Sequence, residues 1–285
     1  AYADRKYNPD YSKIKRLASI ACATCHDPHS EENPKQLRTV SLDSLANGYR
    51  VPAKIGGLGQ LCMNCHRARE NTVARIASQQ QRFADRFYPH YSPQADMYLG
   101  ANAYEYNLGI TGLGTHHGVK DGCVTCHMAE RVLGSSVHAD HELNMKVDGK
   151  DFVEGCKPCH GEITHFDEIT GAVDYDGNGR MEGVQSEIKG LLARLKSFLP
   201  LDATGEPVNM ARDSMLVKNH PRYPAVLPAI FDYYFVKKDG SYGVHNTKYA
   251  VAILRAAIGV VTGVELENLE LPQTFELSQN YPNPF

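Results

Sequence analysis

The chain has 285 residues, 42% of them hydrophobic, no tryptophan and a net charge of −3. This balance argues against a nucleic acid or an anionic membrane surface as partner. The most apolar run, 249–261, is short and carries Arg255, so no transmembrane span is predicted.

All 8 cysteines fall in four copies of Cys-x-x-Cys-His. In chain order these are Cys22-Cys25-His26, Cys62-Cys65-His66, Cys123-Cys126-His127 and Cys156-Cys159-His160. Two thiols one helical turn apart can add to both vinyl groups of one porphyrin, and the next histidine then reaches the iron as proximal ligand. Disulfides or a zinc ribbon would use paired cysteines but would not need the histidine. Four haems c are therefore predicted. Haem c is attached outside the cytoplasm, and Ala1-Tyr2-Ala3-Asp4 lacks a basic-then-apolar start, so a removed signal peptide is expected.

The predicted fold is mainly α with long loops, packed around haem, and with little β. Residues 1–170 form the tetrahaem-binding region, at uneven motif intervals that exclude a fixed repeat. A polar helix is predicted over 68–87. Asp174-Tyr-Asp176-Gly-Asn178-Gly-Arg180-Met-Glu182 places oxygen donors at alternate positions, like the front of an EF-hand loop. Asp174, Asp176, Asn178, Arg180 (through its carbonyl) and Glu182 are its candidate calcium ligands. The twelfth position is Gln185, with Glu187 two further on, so the pattern is incomplete; an ordinary capping turn is the alternative. Helical spacing predicts helices over 184–198, 225–236 and 247–262, the last capped by Thr247. With the calcium loop they form a subdomain at 171–265, expected to pack on the haems for want of other apolar partners. Residues 266–285 read as an extended, proline-containing tail.

The second axial ligand decides between electron transfer and catalysis, because only an iron with an open face can bind substrate. Four of the 13 histidines belong to the motifs. The others are His29, His90, His116, His117, His138, His141, His165, His220 and His245. Residues 22–66, with Asp27-Pro28-His29 after the first motif, resemble the doubled haem-motif cytochromes, which implies that His29 ligates a neighbouring haem. Residues 115–145 resemble the layout shared by multihaem nitrite-reductase-like and nanowire cytochromes. That resemblance implies distal roles for His117 (or His116) and His141. The segments around His90 and His245 resemble recurrent parts of the same cytochromes and add two candidates. Five candidates then compete for four places. His138, His165 and His220 read as surface or hydrogen-bonded residues. No motif ends in lysine, unlike the catalytic haem of pentahaem nitrite reductases, so that activity is not expected.

Residues 275–285 resemble the opening of the C-terminal sorting domain of type IX secretion, which implies a cell-surface or extracellular place. The resulting expectation is a tetrahaem, bis-histidine, extracellular electron-transfer cytochrome that assembles with copies of itself into a filament and exchanges electrons with redox partner proteins or extracellular acceptors. The alternatives are a monomeric carrier or a reductase with one open haem.

Overall fold

The computed structural model describes residues 20–263, except 82, 110, 111, 113, 134, 135 and 148. The tail at 266–285 lies outside the described residues. As the sequence predicts, the chain is mainly helical with long loops.

The motifs lie on very short helices: α1 (Cys22–Cys25), α2 (Gln60–Met63), α5 (Cys123–His127) and α6 (Lys157–His160). α1, α5 and α6 bury no residue, so side-chain burial does not account for them. Between them run α3 (Thr72–Gln81), α4 (Gln94–Leu99) and two antiparallel pairs. β1 (Glu130–Leu133) pairs with β2 (Ser136–Ala139), and β3 (Lys146–Val147) with β4 (Lys150–Asp151). A small apolar cluster of Leu42, Leu45, Met63, Ala95, Tyr98, Leu99 and Ala101 supports the second motif. Beside it the buried Gln60 amide ties down the preceding loop. Its nitrogen donates to the carbonyls of Pro52 (3.1 Å) and Ile55 (2.7 Å), and its oxygen accepts from Leu42 N.

The C-terminal part consists of α7 (Val184–Lys196), α8 (Ser214–Lys218), α9 (Val226–Asp239) and α10 (Thr247–Thr262). Every residue of α9 from Val226 to Val236 is buried, as expected of a helix with apolar neighbours all round. α10 packs on both α9 and α7. It is capped by Asn246, one residue before the predicted Thr247: Asn246 Oδ1 accepts from Tyr249 N at 3.1 Å. Gly240 and Gly263 end α9 and α10 in the left-handed conformation, where a Cβ would be strained.

One expectation needs revision. The predicted helix over 68–87 is confined to α3, because Phe83 and Phe87 must leave the helical path to join the main core with Phe231. That core also draws on residues before 170. Ile76, Met97 and Ala103 belong to it, and Tyr249 Oη accepts from Ala103 N and donates to Glu105. Tyr104 N donates to the buried Asp232 of α9. The helices therefore have ample apolar partners of their own. Among the described residues, no helix is long and apolar enough to cross a membrane.

Candidate functional site: paired imidazoles beside four haem-attachment motifs

The four motifs follow one another in space as they do in sequence. Cys25 is pushed up by burial and then by the nearby thiolates of Cys62 and Cys65. The Cys62 and Cys123 thiols are close enough to shift each other, Cys62 downward and Cys123 upward. Cys126 is pushed up by burial and by Cys159, and Cys156 to about 11 by burial and by Cys126.

Glycines permit this crowding. A Cβ on Gly59, just before α2, would stand 2.8 Å from Asp121 O and from Cys123 N. One on Gly155 would meet Cys126 Cα and Thr125 O at 2.9 Å. Both distances are shorter than a real methyl contact. Main chain thus abuts main chain where the second motif meets the third and where the third meets the fourth. Leu58 N also donates to Asp121 Oδ1 at 3.1 Å across the first of these joints.

Three imidazole pairs stand out. The ring centroids of His26 and His141 are 6.4 Å apart, those of His127 and His245 6.1 Å, and those of His160 and His116 6.3 Å. Each pair joins one motif histidine to one distant in sequence. A metal held between two imidazole nitrogens at roughly 2 Å from each separates the centroids by about 6 Å. The observed spans therefore fit an iron with a histidine on each face. In four of the six rings Nδ1 is engaged elsewhere, which leaves Nε2 as the ligating atom. His26 Nδ1 donates to Lys35 O (2.9 Å), His127 Nδ1 to Leu143 O (3.0 Å) and His116 Nδ1 to Val244 O (2.7 Å). His245 Nδ1 donates instead to the Asp239 carboxylate, at 2.6 Å. Lys35 and Leu143 both adopt positive φ, 58° and 63°, an uncommon conformation for side chains of this size that turns up at functional sites. Burial pushes His127 and His160 down, toward the neutral imidazole that a metal needs.

Of the distal candidates, His141 and His245 stand opposite motif histidines. His117 does not: the ring facing His160 is that of His116. His117 is buried, its ring packs on Tyr98 and its Nε2 bonds to Tyr98 O. The two neighbours share one turn of 3-10 helix (Thr115–Gly118), and Tyr98 and Val244 select between them.

The exposed His66 has no imidazole at this spacing among the described residues. His29 is exposed, with its backbone N bonded to Asp27. His90 adopts φ 76° and lines a cavity of about 400 Å³ with Arg69, Arg75, Arg86 and Tyr91. Neither His29 nor His90 forms such a pair. The remaining histidines behave as ordinary polar residues. His165 pairs with Glu168, and His220 Nε2 with Phe198 O. Of His138 only the strand register is described.

The loop at 174–182 gathers a different donor set from the one predicted. Carboxylate oxygens of Asp174, Asp176 and Glu187 lie within 4.8 Å of one another. Glu187 comes from the first turn of α7 and is buried. It accepts from Tyr175 N and Asp176 N through Oε2 and from Glu182 N through Oε1. Glu182 is outside the cluster, bonded to Asn178 Nδ2 at 2.8 Å. Arg180 N closes a turn on Asn178 Oδ1, and Gln185 reaches away to Ser241 O. Position Glu187, rather than the nominal twelfth residue, supplies the back of the site.

The family model for the doubled CXXCH motif matches residues 15–48, a span that contains the first motif and ends before the second. No curated protein matches the chain. The motifs and this match support a multihaem c-type cytochrome that binds haem c covalently. Among solved structures, the chain is similar to the outer cell wall cytochrome OcwA, with 22% identity and a TM-score of 0.47. The match covers 88% of this chain and 43% of that one, so the chain spans less than half the length of that protein.

Proposed function

We propose that this chain is an electron-transfer protein carrying four covalent haems c in spatial succession. Three are clamped by the pairs His26/His141, His127/His245 and His160/His116. The observation that carries this reading is the recurrence, in three places, of an imidazole spacing that fits one iron. Ligation on both faces leaves no site for substrate, and an iron so held changes charge without changing partners, which suits outer-sphere transfer. Electrons would pass between neighbouring haems; the attachment segments of the second and third, and of the third and fourth, meet at the glycine joints.

The haem of Cys62, Cys65 and His66 takes its distal ligand from His29 or His90, or from a second copy of the chain in a filament. That no described imidazole faces His66 also favours the second reading, a reductase with one open haem. Cyanide or nitrite shifting one quarter of the oxidised haem absorption would favour that reading. The sorting-domain-like tail supports export to the cell surface. Asp174, Asp176 and Glu187 suit a structural calcium ion, with the Asn178 side chain beside Asp176.

Substituting His245 with alanine tests the reading. The variant is expected to gain one high-spin, ligand-accessible haem. Retention of the parent spectrum would remove His245 from the ligand set and with it the significance of the ring spacing.

A further inference from the structure

α9 ends on an acid. Asp239 is its last residue, immediately before Gly240, and is 3% exposed. A carboxylate at a helix C-terminus faces the negative end of the helix dipole, where a cation is preferred. Burying it carries a further desolvation cost. Helix stability therefore does not explain the residue.

Its partners do. Oδ1 accepts from His245 Nδ1 at 2.6 Å. Oδ2 accepts from the backbone N of Ser241 at 3.2 Å and from its hydroxyl. The Ser241 hydroxyl oxygen in turn accepts from His245 N at 3.1 Å. The neighbouring lysines are committed elsewhere: Lys237 Nζ lies 2.6 Å from Glu206, and Lys238 Nζ stands 4.4 Å from the centre of the Tyr91 ring. No cation in this segment neutralises Asp239. Three other paired imidazoles, His26, His127 and His116, donate Nδ1 to backbone carbonyls. A carbonyl offers a dipole, whereas a carboxylate offers a full negative charge and draws the Nδ1 proton toward itself, making the imidazole a stronger donor to metal.

We propose that Asp239 tunes the third haem, bound by Cys123, Cys126 and His127, and makes it harder to reduce than it would be with a neutral partner on His245. In Fe(III) + e− ⇌ Fe(II) the charge at the iron falls by one, so a negative group bonded to the far side of a ligand favours the ferric side. The third haem sits between the second and the fourth, so Asp239 lowers the potential of a haem inside the array rather than at its end. Asp239 is a positioning and tuning residue that acts through His245. The inference rests on His245 being an iron ligand.

The test is Asp239→Asn, which keeps an oxygen acceptor and removes the charge, read by redox titration of the whole haem-loaded protein with individual haems resolved by NMR. The expected result is four haems with parent-like spin states and one changed midpoint, that of the haem on Cys123. Its reduction equilibrium constant should rise about tenfold, equivalent to 59 mV for one electron. Unchanged midpoints, or a shift confined to another haem, would overturn the inference. If Asp239→Asn fails to mature, Ser241→Ala removes one donor from the same carboxylate and keeps its charge. It should lower the same midpoint, and an unchanged or raised value would overturn the inference. Failure of the ligand assignment looks different: His245→Ala would then leave every haem spin state as in the parent.

Discussion

The motif helices and the α7–α9–α10 unit are built on opposite principles. α1, α5 and α6 are four or five residues long and bury nothing. α9 and α10 are 14 and 16 residues long and mostly buried. A helix of one turn has paid for nucleation without the propagation that follows, so it persists only when something else fixes its ends. In the proposed reading that something is covalent attachment to porphyrin, with the Nδ1 bonds of His26 and His127 to backbone carbonyls beside it. The C-terminal unit is held by ordinary apolar burial. On the proposed reading, one chain contains a region ordered by cofactor and a region that orders itself, and the second supplies His245 to the first.

The largest effect that could break this comparison comes from removing the haems. With all eight motif cysteines changed to serine, hydrogen exchange should become fast over 20–66 and 115–165. Amides of α10 from Ala250 to Ile258 should remain protected. Uniform loss of protection would show that the helical core also depends on haem.

The converse substitution is Leu254→Ala. Leu254 is fully buried in α10, and its truncation should cost about 2–5 kcal/mol. Chemical denaturation would read the loss, with haem content and spin state unchanged. A change of spin state would mean that the two regions are less separate than the packing suggests.

A smaller effect is expected at the joint between motifs. Gly59→Ala places a methyl 2.8 Å from Asp121 O and Cys123 N and should cost roughly 1–3 kcal/mol. It should also weaken the exciton signal in the Soret circular dichroism, which reads the approach of two haems. Unchanged spectra would remove this joint from the account.

The smallest effect concerns calcium. At free calcium about tenfold above its dissociation constant, binding adds ~1.4 kcal/mol. Asp176→Ala should abolish that increment and leave the haem spectrum alone. If chelation does not lower the melting temperature of the parent, the loop is only a turn.

The parts legible in the sequence were those set by local pattern. The motifs announce haem attachment through spacing alone, and the apolar periodicity of 184–198 and 247–262 becomes α7 and α10. The parts set by distant contacts were not legible. His116 and His117 are adjacent, and the choice between them is made by Tyr98 O and Val244 O. Glu187 enters the carboxylate cluster because the turn into α7 brings it back over Tyr175 and Asp176. Ala103, Tyr104 and Glu105 bond to α9 and α10 across more than a hundred residues, a link no local pattern announces. Asp239 left no sequence signal, since an acid before a glycine is common and only its contact with His245 gives it meaning.

The central claim is that three imidazole pairs each hold one iron. Near-infrared magnetic circular dichroism of the fully oxidised, haem-loaded protein tests it most directly, because the charge-transfer band reports the axial pair of each low-spin haem. The account predicts bis-imidazole intensity for at least three haems per chain. Intensity for fewer than three, or bands of imidazole–thioether ligation in their place, would contradict it.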